Sequence, residues 1–217
     1  MTEIQPTILF EDDFIIAINK PAGMLVQADK KGEKGIAQTL GKNLGIIHRL
    51  DRPASGILLL AKKKWALANL NEQFKERQVV KKYWAVVQNK PKKESGRLQH
   101  YLRKNQEKNL TYAFDKPLHH TQEAVLEYRF LESIERYHLL EIDLKTGRHH
   151  QIRTQLKAIG SPIKGDVKYG FRRGNRDRSI HLHACSLQFS HPESGETMLL
   201  KAPAPEEVVW KAFKSIH

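Results

Sequence analysis

The sequence has a single cysteine and no long apolar run, and both absences narrow the classes of protein it can encode. With Cys185 as its only cysteine, the chain of 217 residues cannot form an internal disulfide or a zinc site built from several cysteines. No apolar run approaches the ~20 residues of a membrane-spanning helix, and residues 1–5 lack the basic-then-apolar pattern of a secretory signal. We therefore expect a cytoplasmic protein that binds no membrane, with a monomer as the simplest state.

Sequence patterns that bind cofactors are also missing. The chain has no Walker loop, no GxGxxG and no HExxH, so neither a nucleotide cofactor nor a metal ion is expected. The histidines include three close pairs: His119 with His120, His149 with His150, and His181 with His183. Because no carboxylate completes a familiar ligand spacing beside them, we expect these histidines to lie on the surface or to face a binding partner.

The charge balance points to a polyanionic partner. There are 37 lysines and arginines against 24 acidic residues, which gives a net charge of +13. Such an excess is the electrostatic signature of a nucleic-acid binder. Two polar, basic segments, 89–108 and 171–178, are candidate RNA-contacting loops. Segment 89–108 reads as a loop or hairpin excursion, and the alternative is a solvated insertion without function.

The apolar patterns predict one domain over residues 1–217 in which strands and helices intermix. No regular βαβ rhythm is visible, so we expect an α+β fold with a mixed, largely antiparallel central sheet and flanking helices. The predicted helices are 63–76, 148–159 (ended by Gly160) and 205–214. The predicted strands are 57–60, 79–87, the pair 122–131 and 137–144, and the hairpin 181–189 with 196–201.

One run, IHRLDRPASGILLLAK at 47–62, places Asp51 between Arg49 and Arg52 in a turn. The apolar residues that follow predict a strand covered on both faces. A rigid strand end is a good platform for a reactive carboxylate, and the flanking arginines favour its ionised form. From charge alone, the alternative is a surface salt bridge.

The same run resembles the signature of the RluA-type pseudouridine synthases, which is His-Arg-Leu-Asp, two residues, Ser-Gly and an apolar strand. Three further strings are similar to family motifs: KKY at 81–83, GRHHQIR at 147–153 and GSPIKGD at 160–166. The resemblance covers nearly the whole chain and implies the pseudouridine synthase fold. Two departures are Ala54, where the family usually has Thr, and His149, where it usually has Thr or Ser.

The resemblance implies a role for four residues. Asp51 would be the catalytic residue, and Arg153 would pair with it in the closed site. Tyr83 would lie against the target base, which must be flipped out of its stack. Arg49 would help to fill the space that the base leaves, whereas Arg52 would at most bind phosphate.

The implied function is an RNA pseudouridine synthase that isomerises specific uridines in ribosomal or transfer RNA without a cofactor. The S4-like module of larger members is not expected, because the resemblance starts near Ile8. One alternative is a non-catalytic RNA-binding or ribosome-associated protein with the same fold. Another is a phosphate-ester hydrolase, which would need a metal cluster or a second catalytic acid or base.

Overall fold

Eleven strands and four α-helices occur in the part of the chain that the computed structural model describes, residues 5–29, 32–41 and 43–216. The strands are β1 (Thr7–Glu11), β2 (Ile15–Lys20), β3 (Gly45–Ile46), β4 (Ser55–Ala61), β5 (Val80–Val87), β6 (Ser95–Asn105), β7 (Leu110–Phe114), β8 (Gln122–Ile134), β9 (Tyr137–Leu144), β10 (Leu182–Ser190) and β11 (Thr197–Lys201). The helices are α1 (Ile36–Thr39), α2 (Lys64–Lys75), α3 (Gln151–Ala158) and α4 (Val208–Lys211), with 3-10 turns at Val167–Tyr169 and Lys214–Ile216.

The backbone divides into two compact units. The first contains Met1–Lys81 and His183–Pro205, and the second contains Lys82–Leu182 and Glu206–His217. In the first unit the strand order is β1-β2-β4-β10-β11, with β3 also paired to β4. In the second unit it is β5-β9-β8-β6-β7. Within these units the pairing of β4 with β10 is parallel and the other pairings are antiparallel, which confirms the predicted α+β class with a largely antiparallel sheet.

Strand β4 is the centre of the first unit, and all seven of its residues are buried. Successive side chains point to opposite faces of a strand. Ile57 and Leu59 accordingly pack in one apolar cluster with Leu70 of α2. Leu58 and Leu60 pack in a second cluster on the other face, which includes α1. The prediction of an apolar strand covered on both faces is therefore confirmed, and so is the helix predicted at 63–76.

In the second unit, four antiparallel pairings join β5, β9, β8, β6 and β7, and α3 contacts β6 and β7. The strands predicted at 79–87, 122–131 and 137–144 are present. Segment 89–108 is not a loop, because its central part is β6, which pairs with β8 on one side and β7 on the other. The hairpin interpretation of this segment is the correct one.

Two predicted helices have different bounds in the structure. Helix α3 begins at Gln151 rather than at 148, because His150 adopts the left-handed conformation with φ of 52°. Its predicted end is confirmed: Gly160 has φ of 77°, and the Ser161 amide donates to the Leu156 carbonyl in a Schellman motif. Helix α4 is four residues long rather than covering 205–214. Glu207 caps its start, and the helix ends at Lys211. No described helix has the length and apolar character needed to cross a bilayer.

Candidate active site

Asp51 is half-buried in a tight turn at the end of β4. The Ala54 amide donates to the Asp51 carbonyl at 3.0 Å and closes the turn. The same turn is tied to the loop after β2, because the Gly23 amide donates to the Arg52 carbonyl at 2.7 Å and the Arg52 Nε donates to the Gly23 carbonyl at 2.9 Å. These backbone contacts fix the conformation of the segment that carries the Asp51 carboxylate.

Arg49 and Arg52 are both exposed, and each has a partner in the first unit. The Arg49 Nη1 donates to the Gln27 Oε1 at 3.1 Å. The Arg52 Nη2 lies 2.6 Å from the Glu33 Oε1, in an ion pair whose side chains are about half exposed. The solvent-exposed pair adds little stability. The contact of Arg52 with Gly23 is the one that shapes the turn.

Lys20 lies beneath the Asp51 turn and is completely buried. Its Nζ donates to the carbonyls of Pro21 at 2.9 Å, Met24 at 3.2 Å and Arg52 at 3.4 Å. Burial lowers the pKa of Lys20 to about 7; the nearby Asp51 carboxylate opposes that shift and Arg52 adds to it. The ammonium group therefore joins the loop after β2 to the backbone of the turn.

His48 joins the start of the segment that contains Asp51 to strand β4. The pairing of β3 with β4 ends at Ile46 and Leu60. One residue earlier in β4, the Leu59 amide donates to the His48 Nε2 at 3.0 Å. Burial lowers the pKa of His48 to about 3, and Lys81 adds to that shift, so the ring stays neutral and accepts this hydrogen bond. The imidazole nitrogen thus accepts the hydrogen bond that a carbonyl oxygen of a neighbouring strand would otherwise accept from the Leu59 amide.

The start of β4, next to the Asp51 turn, is anchored by β10. The Ser55 Oγ lies 2.9 Å from the His183 Nδ1, and both residues are buried. The His183 Nε2 lies 3.4 Å from the Ala202 carbonyl, so it carries the hydrogen and Nδ1 accepts the Ser55 hydroxyl. Burial lowers the pKa of His183 to about 4. This neutral pair holds the strand directly after the Asp51 turn.

Gly56 allows the two strands to approach closely. Its φ is 112°, and a Cβ added there would lie 2.3 Å from the Ala184 carbonyl oxygen. Only glycine adopts this conformation without a clash, so the Ser-Gly pair that follows the turn has a steric explanation.

In the second unit, Arg153 of α3 is buried against Asp166. The Arg153 Nε donates to Oδ2 at 2.7 Å and its Nη2 donates to Oδ1 at 2.8 Å. The guanidinium carbon lies 4.8 Å from the ring centroid of Tyr169. Asp166 belongs to the string at 160–166, but sequence reasoning assigned it no role. A carboxylate 13 residues after Arg153 was the available signal.

Tyr169 also connects α3 to β7. Its hydroxyl oxygen accepts the Thr111 amide at 2.8 Å and lies 2.8 Å from the His150 Nδ1. His149, one of the two departures from the family motif, stacks on His150 with ring centroids 3.7 Å apart and lies 2.9 Å from the Thr111 Oγ1.

The four predicted site residues are divided between the units. Asp51 and Arg49 belong to the first unit, and Tyr83 and Arg153 belong to the second. Tyr83 lies in β5 opposite Ile142 of β9, and it is 8% exposed. The sequence analysis did not identify Lys20, His48 and Asp166, whose side chains hold the Asp51 turn or Arg153 in place. Strand alternation was the signal for Lys20, because it places that residue on the face of β2 that carries Ile16 and Ile18.

Within the part of the chain that the structure describes, no three His, Cys, Asp or Glu side chains form a group that could hold a metal ion. The arrangement is an α+β scaffold in which a turn at the end of a buried strand presents one carboxylate. A comparison with known families identifies the class of protein: the family described as RNA pseudouridylate synthase matches residues 14–158. The chain belongs to this family, and the RluA-type membership predicted from its motifs is confirmed.

Curated relatives support the same assignment. The chain is 36% identical over 220 residues to the tRNA pseudouridine synthase C of Pectobacterium carotovorum, covering 90% of this chain and 58% of the relative. It is 35% identical over 219 residues to the ribosomal large subunit pseudouridine synthase C of Escherichia coli O6:H1, covering 92% and 66%. The chain therefore spans less than two thirds of the length of these relatives.

A solved structure shows the same fold. Human RNA pseudouridylate synthase domain containing 4 superposes with a TM-score of 0.75 at 27% sequence identity. The similarity covers 92% of this chain and 89% of the human chain. The pseudouridine synthase fold implied by the sequence motifs is confirmed.

Proposed function

We propose that this protein is an RNA pseudouridine synthase, an isomerase that converts specific uridines to pseudouridine, with Asp51 as its catalytic residue. The observation that carries the proposal is the fixed turn that presents Asp51 in a chain of this family. Three side-chain contacts support that turn: those of the Lys20 Nζ, the His48 imidazole and the Ser55 hydroxyl.

One carboxylate suffices for the proposed reaction, because the substrate supplies both the leaving group and the acceptor. The bond between C1′ and N1 breaks, the uracil turns, and C1′ forms a bond to C5. C5 then loses its proton and N1 gains one, so that substrate and product are isomers. Asp51 either attacks C1′ as a nucleophile or removes a sugar proton to give a glycal. Both routes are redox-neutral and need no nucleotide, and we propose that the enzyme uses no cofactor.

The other three residues are proposed to bind the substrate. Arg153 pairs with Asp51, and the two hydrogen bonds from Arg153 to Asp166 support this role because they fix the plane of the guanidinium. Tyr83 lies against the target base. Arg49 fills the space that the flipped base leaves in the RNA, and its exposed position in the first unit is compatible with that role.

Ribosomal or transfer RNA is the proposed substrate. The relatives are named for the large ribosomal subunit and for transfer RNA, which supports these two classes. The net charge of +13 supplies general affinity for RNA. We further propose that residues 1–217 act as one catalytic domain, and that the protein is cytoplasmic, monomeric and does not bind membranes.

The loop at 171–178 is proposed as one RNA contact. Four arginines in this loop are exposed: Arg172, Arg173, Arg176 and Arg178. Asn175 anchors the loop, because its Nδ2 donates to the Ser179 carbonyl at 2.9 Å and its Oδ1 accepts the Lys164 Nζ at 3.0 Å. An anchored loop loses less conformational entropy when it binds the phosphate backbone.

Tritium release tests the catalytic proposal. Wild type, Asp51→Asn and a control, Asp13→Asn, are incubated with unmodified ribosomal and transfer RNA that carries tritium at uracil C5. Asp13 is an exposed residue of the turn between β1 and β2, so its variant makes the same charge change away from the Asp51 turn. Release by wild type and Asp13→Asn, but not by Asp51→Asn, is expected. A folded wild type that binds RNA tightly and releases nothing would support the non-catalytic RNA-binding protein instead.

A further inference from the structure

The solvent-facing side of the β6–β7 hairpin carries a cluster of side chains that the proposed reaction does not use. The strand register places Tyr101 opposite Phe114 and Arg103 opposite Tyr112. Because side chains alternate along a strand, these four share one face of the hairpin. We call this set of four residues the β6–β7 platform. Tyr112 is 40% exposed, Arg103 is exposed, and Tyr101 and Phe114 are half-buried.

Helix α3 packs against the opposite face of the hairpin. Leu102 and Thr111 point to that face, and each is only 4% exposed. The Gln155 Nε2 of α3 lies 3.2 Å from the Leu98 carbonyl and 3.1 Å from the His100 Nδ1. The second unit therefore uses one face of β6 and β7 for its core, while the aromatic side chains of the platform lie on the other face.

The platform combines flat aromatic rings with positive charge. The Arg103 guanidinium carbon lies 5.0 Å from the ring centroid of Phe114, which is a cation–π distance. Segment 97–120 holds five lysines and arginines but only two acidic residues, Glu107 and Asp115. Of the acidic side chains of β8, Glu127 pairs with Arg97, and Glu123 lies opposite Tyr101 and accepts the Gln99 side-chain amide at 2.7 Å. Arg103 lies directly opposite Tyr112 and places a positive charge beside that ring.

We propose that the β6–β7 platform binds an unpaired stretch of RNA, with a base stacked on Tyr112 and phosphates contacting Arg103 and the exposed Lys108 of the hairpin turn. Aromatic rings stack on any base, and arginine and lysine neutralise the backbone, so such a surface binds single strands with little sequence preference. The inference rests on the proposed function in that RNA is the substrate. It adds an RNA contact made by the second unit that the proposed reaction does not require.

A single-stranded probe without uridine separates this surface from the uridine site. A fluorescein-labelled 12-nucleotide oligoadenylate and a blunt 12-base-pair RNA duplex are titrated by fluorescence anisotropy. The proteins are wild type, Tyr112→Ala, Tyr112→Phe and Arg103→Ala. The control is Arg136→Ala, which removes the same charge from the exposed turn between β8 and β9. Circular dichroism confirms that each variant is folded.

Tyr112→Ala is expected to weaken oligoadenylate binding about tenfold, whereas Tyr112→Phe keeps the ring and changes it less than about twofold. Duplex binding by both variants is expected to equal that of wild type. Arg103→Ala is expected to lower the slope of log affinity against log salt by about 0.7 for the single strand. Arg136→Ala is expected to leave that slope unchanged.

Two results would overturn the platform. One is unchanged oligoadenylate binding by folded Tyr112→Ala. The other is an equal loss for the duplex, which would indicate general charge rather than stacking. Tritium release by the same preparations separates the two proposals. If wild type releases tritium and Tyr112→Ala binds oligoadenylate normally, only the platform is wrong. If no protein releases tritium but Tyr112→Ala still loses single-strand binding, the result supports RNA binding by the platform and contradicts the catalytic proposal.

Discussion

Arg153 and Asp166 form a buried ion pair with two hydrogen bonds, in which the side chains are 5% and 1% exposed. The fork geometry fixes the rotation of the guanidinium as well as its position. Tyr169 supports the same group from its ring face at 4.8 Å. Arg153, the proposed partner of the proposed catalytic residue Asp51, is therefore held by residues that follow it in sequence.

Replacing Asp166 by Asn should destabilise the protein strongly. The change removes the carboxylate charge that compensates a buried guanidinium, and breaking such a pair typically costs about 3–5 kcal/mol. Urea unfolding measures this loss. The control is Asp143→Asn, which removes a partially exposed partner of Lys145 and should cost less than about 1 kcal/mol. Similar losses in the two variants would contradict a special role for the buried pair.

Replacing His48 by Ala should leave the Leu59 amide without its acceptor. The cost of such an unsatisfied buried donor is about 1–3 kcal/mol. The turn that carries Asp51 lies between these two residues, so we also expect slower tritium release under single-turnover conditions. His48→Gln can present a side-chain oxygen to the same amide and should recover part of both losses. If Gln and Ala behave alike, the hydrogen bond from Leu59 does not position the turn.

Gly56→Ala should prevent normal folding of the first unit. The added methyl group would lie 2.3 Å from the Ala184 carbonyl, and the φ of 112° is unfavourable for alanine. Gly195→Ala is the matched control, since Gly195 has φ of 73° but no atom within 4 Å of an added Cβ. We expect the control to fold with a loss of about 1 kcal/mol. Soluble expression and near-ultraviolet circular dichroism distinguish the two variants, and equal behaviour would show that β4 and β10 can separate.

The buried His183 should make stability depend on pH. Its pKa is about 4 in the folded protein against a model-compound value of 6.5, so between these values the unfolded chain binds a proton that the folded protein does not. Protonation of His183 in the unfolded chain therefore lowers the free energy of unfolding as pH falls from about 6.5 to 4, by about 1.4 kcal/mol per pH unit. Above pH 7 this contribution vanishes.

Urea unfolding of wild type and His183→Asn at pH 7 and pH 5 checks this dependence. The asparagine oxygen can accept the Ser55 hydroxyl but cannot titrate, so the variant should lose less stability between the two pH values. His119→Asn removes an exposed histidine and should keep the wild-type dependence. A wild-type dependence in His183→Asn would assign the titration to another group.

The exposed arginines at 172, 173, 176 and 178 should contribute to RNA affinity through phosphate contacts. Replacing all four by Ala should weaken binding and lower the salt slope by as much as about 3, if each contacts one phosphate of a single strand. Titrations at several salt concentrations provide the measurement. An unchanged slope would remove this loop from the RNA-binding surface.

Local sequence signals were sufficient for much of the first unit. Turn residues and the apolar run after Asp51 predicted the turn and β4, because both depend on neighbours along the chain. The amphipathic pattern of 63–76 predicted α2 for the same reason. In the second unit, the alternation in 137–144 likewise predicted β9.

The remaining features depend on partners far away in sequence. His150 ends up left-handed where its ring meets the Tyr169 hydroxyl, 19 positions later. Segment 89–108 is polar because one face of β6 meets solvent, and its buried face is identified only once α3 covers it. Asp166 could be paired with Arg153 only after the chain between them had turned.

The hydrogen bond between Ser55 and His183 also has a consequence for biosynthesis. The two residues are 128 positions apart, and the ribosome makes Ser55 long before His183. Strand β4 can pair with β2 early in synthesis, but its contact with β10 forms only when nearly the whole chain has emerged. Closing so long a loop is slow relative to local pairing. The anchor of β4 directly after the Asp51 turn therefore forms late, and a nascent chain that stops before β10 lacks it.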